Sequence, residues 1–278
     1  MEAQAKHLAR WPRLARRFAL LALAALLLAW AALPAARAVA LVGNWSNRGA
    51  PDVAQAGIPV QPVMFAAADG VRLAGWFALA SPAAPTVVLV HGFKGSRVSM
   101  LPWARFLFAA GYNVLLYDSR GCGQSAGWGI ALGAGEAADV IGAVRYVRGR
   151  ADLTSHLVGA LGISLGAGDV LLAAAREPGL AAVVADSAWT DERPQLDRMG
   201  AVPAGPLALP VLPYEPALVD ALIGARLEAT RPLAVIARIT PRAVLLIHSG
   251  DDGNATTPLA GERALYAAAI APKAQWIA

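Results

Sequence analysis

The sequence predicts an α/β fold, a mostly parallel sheet with helices on both faces, preceded by one N-terminal apolar helix. Three observations carry this expectation. After residue 40, short β-branched runs alternate with longer helix-forming ones, the rhythm of strand–helix–strand units. The pentapeptide Gly162-Ile163-Ser164-Leu165-Gly166 stands between an apolar strand-like run at 157–161 and a small-residue helical run at 167–176. With 57% apolar content, 278 residues are enough to bury the core of one large domain.

Residues 1–40 form a basic appendage. Lys6, Arg10, Arg13, Arg16, Arg17 and Arg37 oppose only Glu2 there, while the rest of the chain balances 18 basic against 18 acidic residues. The net charge of +5 therefore belongs to the terminus, and the neutral main domain offers no electrostatic footprint for nucleic acid. An uncharged apolar stretch of nineteen residues at 18–36 nearly matches the length that crosses a bilayer core. Positive charge ahead of it predicts a cytoplasmic N-terminus and a single-pass anchor that leaves the remainder extracytoplasmic. The alternative is a signal peptide cut at Ala38-Val39-Ala40, releasing a secreted or periplasmic domain. The apolar run is longer than the usual signal-peptide core of about 7 to 15 residues, which favours the retained anchor. Arg16-Arg17 makes only a poor twin-Arg signal, because the residues after it do not fit.

Residues 41–60 read as a linker and 61–278 as the main domain. Strands are expected at 62–66, 72–79, 86–90, 113–118, 157–161, 181–186 and 243–248, the first two joined by Ala68-Asp69-Gly70 as an antiparallel hairpin. Helices are expected at 98–110, 134–149, 167–176, 216–229 and 261–270. The Pro-rich stretch 191–241 reads as a small lid or cap inserted before the last of these strands.

In a strand-to-helix turn, the central Ser of Gly-x-Ser-x-Gly is held in a strained conformation with its hydroxyl exposed. The flanking glycines are needed because a Cβ at either place would meet the neighbouring strand and helix. Further segments follow in order: Val87-Val88-Leu89-Val90-His91-Gly92-Phe93, Tyr117-Asp118-Ser119-Arg120-Gly121-Cys122-Gly123-Gln124-Ser125, Ala185-Asp186-Ser187 and Leu245-Leu246-Ile247-His248. Together with the pentapeptide they resemble the α/β-hydrolase fold, in its serine-hydrolase branch of membrane-anchored esterase-like and peptidase-like members. The resemblance runs from about residue 60 to the end.

It implies that Ser164 attacks a carbonyl carbon to form an acyl-enzyme, with a small acyl or ester substrate and no cofactor or metal. The oxyanion then needs donors already aimed at it. One is the Leu165 N–H, at the start of a helix expected near Ala167; by resemblance the second is the Phe93 N–H. The acid belongs in Ser249-Gly250-Asp251-Asp252-Gly253-Asn254. Asp252, four residues beyond His248, is preferred to Asp251, and Asp186 is a third candidate whose plainer role is holding a loop.

A serine hydroxyl also needs a His to take its proton. In this fold that His follows the last strand, and Lys273-Ala274-Gln275-Trp276-Ile277-Ala278 reads as the beginning of that strand, with the His loop and final helix not among these residues. His7 lies ahead of the apolar stretch and His156 at the amino edge of the sheet, while His91 and His248 match positions that are structural in the family. Two explanations stand: an incomplete reading frame of an ordinary hydrolase, which is preferred, or a non-catalytic relative that binds acyl or peptide ligands, or a protein partner, in the same cleft. A missing last strand would leave 243–248 as an exposed edge, and a missing helix would bare part of a sheet face.

Other residues have plainer readings. Cys122 is the only cysteine, so no intrachain disulfide exists, and it has no basic neighbour in sequence to activate it. Glu136 and Asp139 read as a solvated helix start, with a loop contact second. Trp76, Trp103, Trp128 and Trp189 read as core or pocket wall, with Trp189 the one most apt to border the cleft. Gly121-Cys122-Gly123 misses the dinucleotide-binding spacing, no phosphate loop occurs, and His91 and His248 stand apart from any metal-ligand cluster.

Overall fold

A computed structural model of the chain describes residues 11–45, 49–191, 201–204, 207–210, 214–251 and 257–278. Its centre is an eight-stranded sheet in the order β1-β2-β4-β3-β5-β6-β9-β10. The strands are β1 (Gln61–Ala66), β2 (Arg72–Ala78), β3 (Thr86–Val90), β4 (Asn113–Tyr117), β5 (Val158–Ile163), β6 (Leu180–Asp186), β9 (Ala243–His248) and β10 (Lys273–Ile277). All neighbours pair in parallel except β1 with β2 and β2 with β4. The hairpin expected at the start is therefore present, and a parallel sheet follows it.

Alternation along the strands feeds two separate cores. On one face Phe77, Val88, Val90, Leu115 and Tyr117 pack with α3 (Glu136–Arg148) and α4 (Leu165–Ala174). On the other, Trp76, Ala78, Leu89, Val114 and Leu116 pack with Leu101 and Ala104 of α2 (Leu101–Ala109). Burial on both faces is what a parallel sheet requires. The α2 face is less fully covered: an open apolar groove of about 500 Å³ lies there, lined by Phe106, Leu157, Leu161 and Val184 among others. Trp276 on β10 is 60% exposed.

Two expectations are corrected here. Residues 273–277 form a complete five-residue pairing with β9, Lys273 opposite Val244 through Ile277 opposite His248, so β9 is not an edge and β10 is. The helix after Ser164 begins at Leu165 rather than near Ala167, and β5 runs on to Ile163. Strand and helix thus meet at Ser164 with no intervening loop.

Within 191–241 the described residues form a two-stranded antiparallel pair, β7 (Ala201–Ala204) with β8 (Leu207–Pro210), then α5 (Glu215–Ile223) and a short α6 (Pro232–Val235). Helix α7 (Leu259–Ala268) packs beside β9 and leads to β10. At the other end α1 (Trp11–Val42) is one continuous helix, of which Leu14–Val42 is long and apolar enough to cross a membrane or serve as a signal sequence. Its last turns enter the domain: Ala38 and Val42 are fully buried in the main core, and α1 packs against α5.

Candidate active site

Ser164 is the N-cap of α4 at φ 55° and ψ −115°, a backbone conformation that L-residues seldom adopt. The chain is forced into it because β5 must stop and α4 must start within one residue. A Cβ on Gly162 would lie 2.1 Å from the Gly166 carbonyl oxygen, and one on Gly166 would lie 2.5 Å from that of Val90. Only glycine fits either place, as the pentapeptide led one to expect. The turn is pinned to the sheet by the Ser164 N–H, which donates to the Asp186 carbonyl at 2.8 Å.

Around Ser164 the carboxyl ends of the strands bring together other segments singled out in the sequence. Gly92, just past β3, is close enough that a Cβ there would lie 3.9 Å from the Ser164 hydroxyl oxygen. Phe93 follows on the same loop, and Leu165 opens α4, where the first amides have no carbonyl a turn back to bond. Asp186 ends β6, with one carboxylate oxygen accepting from the Ser187 hydroxyl at 2.9 Å. Asp251 is exposed just beyond β9, and Asp252 lies outside the described residues.

The loop carrying Gly92 and Phe93 is held from below by His91, which is buried. Its Nε2 accepts from the Ser119 N–H at 3.0 Å, so Nδ1 carries the proton and donates to the Gly92 carbonyl at 2.8 Å. Burial depresses the ring's pKa below its ordinary 6.5, against the opposing pull of the Gly92 hydrogen bond and the Asp118 charge. With both nitrogens engaged, His91 is a brace and has no free lone pair to take a proton from Ser164. His248 is buried at the end of β9, and His156 is exposed ahead of β5, at the opposite edge of the sheet from Ser164.

A second brace was not foreseen. The buried Asp118 carboxylate accepts from the Arg97 N–H at 2.8 Å, from its guanidinium at 3.1 and 2.6 Å, and from the Gln124 N–H at 3.0 Å. One carboxylate thus ties the end of the β3 loop to the loop after β4. Asp118 lies in a segment quoted for the family resemblance, but nothing in Gly95-Ser96-Arg97 marks that arginine as its partner.

Two acids take a role other than their default one. Glu136 and Asp139 are fully buried loop anchors rather than solvated: Glu136 accepts from the Ala131 and Gly133 N–H groups, and Asp139 pairs with Arg120 at 2.7 Å. Trp189 does not line a cleft; it is buried, packs on Gly168 and donates to the Leu165 carbonyl at 3.0 Å. Trp76 is core, while Trp128 is exposed. Cys122 is buried, and its sulfur accepts from the Asn44 amide. Among the described residues no group of three or more His, Cys, Asp or Glu side chains is placed to hold a metal ion.

Comparison with known proteins gives a consistent picture. The family model described as X-Pro dipeptidyl-peptidase (S15 family) matches residues 69–209. The uncharacterized protein YfhR of Salmonella typhi is 31% identical over 229 residues, covering 77% of this chain and 70% of that protein. YqkD of Bacillus subtilis is 31% identical over 216 residues, 76% of this chain and 68% of that one. Among solved structures, the esterase Pf2001 of Pyrococcus furiosus superposes with a TM-score of 0.68 at 22% identity, over 85% of this chain and 89% of its own. The α/β hydrolase GrgF of Penicillium sp. sh18 does so with a TM-score of 0.62 at 22% identity, over 79% and 89%.

Proposed function

This chain belongs to the α/β-hydrolase family whose model is described as X-Pro dipeptidyl-peptidase (S15 family), and from that premise we propose that it cleaves a carboxylic ester or related acyl bond through an acyl-enzyme on Ser164. The family makes it a hydrolase. The observation that supports the serine mechanism is the conformation of Ser164, held at φ 55° in a one-residue passage from β5 to α4 between two glycines that admit no side chain.

The steps follow from that placement. The Ser164 hydroxyl adds to the carbonyl carbon while its proton passes to a histidine. The oxyanion so formed is met by the N–H groups of Leu165 and Phe93, each such donor commonly worth about 3 kcal/mol of barrier. Collapse expels the alcohol, which takes the proton from the histidine. Water then adds to the acyl-enzyme by the same route, releasing the acid and restoring the hydroxyl. The N-terminal end of the α4 dipole favours negative charge there.

Asp252 is the proposed orienting acid, with Asp251 its alternative. The base in this reading is a histidine other than His91, whose two ring nitrogens are both engaged. The Ala278 N–H donates to the His248 carbonyl and its own carbonyl accepts from the Gly250 N–H, which ties the end of β10 to the start of the loop carrying Asp251. The domain is proposed to be extracytoplasmic and anchored by α1. Cleavage near Ala40 would cut within a helix whose Ala38 and Val42 are core residues, which supports retention.

The test is covalent labelling by a fluorophosphonate together with hydrolysis of p-nitrophenyl butyrate. The protein is expected to label and turn over, and Ser164→Ala to do neither. A protein that binds acyl ligands yet never labels would identify a non-catalytic relative. A chain that cleaves an Xaa-Pro anilide and not the ester would place the substrate among peptides.

A further inference from the structure

Helix α1 places the candidate site at a fixed height above the bilayer. From Leu14 to Ala32 every residue of the helix is exposed, and from Pro34 onward it is packed against the domain. The uncharged stretch 18–36 spans about 28 Å at 1.5 Å per residue, close to the thickness of the hydrocarbon core. Arg37, the first charge after it, pairs with Glu215 at the start of α5. The edge of the hydrocarbon therefore falls where the domain begins, with no spacer between them.

One helical turn further on, the Ala40 carbonyl accepts from the Lys94 ammonium at 2.6 Å. Ala40 lies about 5 Å along the axis beyond Arg37, within the headgroup layer, which adds roughly 5 to 7 Å on each side of the core. Lys94 is two residues past Gly92, whose α-carbon borders Ser164, so the hydroxyl stands within roughly 20 Å of the helix by chain reach. The side chains around this junction suit an interface. Phe93 is 47% exposed with the Lys94 ammonium over its ring, and Trp45 and Trp128, beside the Gly43–Gly129 bridge that ends α1, are 65% and 46% exposed. Tyr214 donates its hydroxyl to the Ala31 carbonyl, within the last turns of the apolar stretch. Aromatic rings with a polar edge, and a lysine, are the residues that settle among lipid headgroups.

We propose that the Ser164 site faces the headgroup layer and that the ester cleaved belongs to a bilayer-resident acyl lipid, entering along the side of the site formed by Phe93, Lys94 and the end of α1. This rests on the serine-hydrolase reading. Confinement beside the bilayer raises the effective concentration of such a lipid over a dissolved ester, and the exposed Phe93 and Trp128 give its acyl chain an apolar path.

The test moves the domain without touching the site. An 18-residue helical insertion between Trp30 and Ala31, six leucines that restore the apolar span followed by twelve residues of Ala, Glu and Lys, adds five turns and raises the domain by about 27 Å while keeping the phase of the helix. The protein, with and without the spacer, is reconstituted in phosphatidylcholine vesicles containing a fluorogenic acyl-ester phospholipid, and p-nitrophenyl butyrate is assayed alongside. Hydrolysis of the vesicle lipid is expected to fall by about tenfold or more in the spacer form with the soluble ester unaffected. Equal lipid hydrolysis in both forms, or a native form that cleaves only the soluble ester, overturns the inference. Failure on both esters overturns the hydrolase reading beneath it.

Discussion

Gly92 stands against Ser164 so closely that a methyl group on its α-carbon would lie 3.3 Å from the Ser164 Cβ and 3.4 Å from the Ile163 carbonyl oxygen. The loop after β3 and the strained turn after β5 therefore share one surface, and Phe93 is delivered to it by its neighbour. Gly92→Ala is expected to keep the fold, since a few tenths of an ångström accommodate the methyl group. Ester turnover is expected to fall by about tenfold or more, because displacement of reacting groups by a fraction of an ångström is costly. Melting temperature and kcat measured on the same preparation check both halves.

The conformation of Ser164 holds strain, of about 1 to 3 kcal/mol for such a backbone. Ser164→Gly relieves it and Ser164→Ala does not. The glycine variant is expected to be more stable than the native protein by about 1 kcal/mol once glycine's own entropy is set against the strain, with the alanine variant near or below native. Urea midpoints separate the two. A glycine variant less stable than the alanine one would show that the turn is unstrained.

Asp118 holds the Arg97 cation where neither group meets water. Asp118→Asn leaves that cation buried without its partner, and a loss of about 3 to 5 kcal/mol is expected. Replacing both, as Arg97→Met with Asp118→Leu, is expected to recover part of the loss. Chemical denaturation of the two variants checks this, and a single variant within about 0.5 kcal/mol of native would remove Asp118 as the brace of the loop.

Glu262 on α7 is fully buried, and burial pushes its carboxyl from the ordinary 4.5 up to about 7, with the Asp186 charge adding to the effect. The folded protein therefore keeps a proton that the unfolded chain loses above 4.5. This contribution to stability is fully present below 4.5 and is lost as pH rises to about 7. Glu262→Gln keeps the neutral form at every pH, so native and variant are expected to differ little at pH 5 and the variant to be the more stable at pH 8. Urea midpoints at the two pH values give the comparison, and parallel profiles would contradict it.

Much of the fold was legible because its signals are local. β-Branched runs gave the strands within a residue or two, and Gly162 and Gly166 marked the turn, since each excludes a Cβ for a reason written in its own backbone. What stayed hidden depends on residues far apart. Arg97 and Asp118 are unremarkable singly, and only the sheet brings them together; Glu136 and Asp139 carry the pattern of a solvated helix start, yet loops close over them. The end of α1 is similar: Ala38 lies in the A-x-A-like tripeptide and Val42 in what reads as a linker, while the structure places both in the domain core.

The most direct test of the central claim is the site of covalent modification. The protein, purified as its own cells make it, is treated with a fluorophosphonate, digested and mapped by mass spectrometry. The expected result is one adduct, on the peptide containing Ser164, lost in Ser164→Ala together with ester hydrolysis. An adduct on another residue, or hydrolysis that survives Ser164→Ala, would contradict the account.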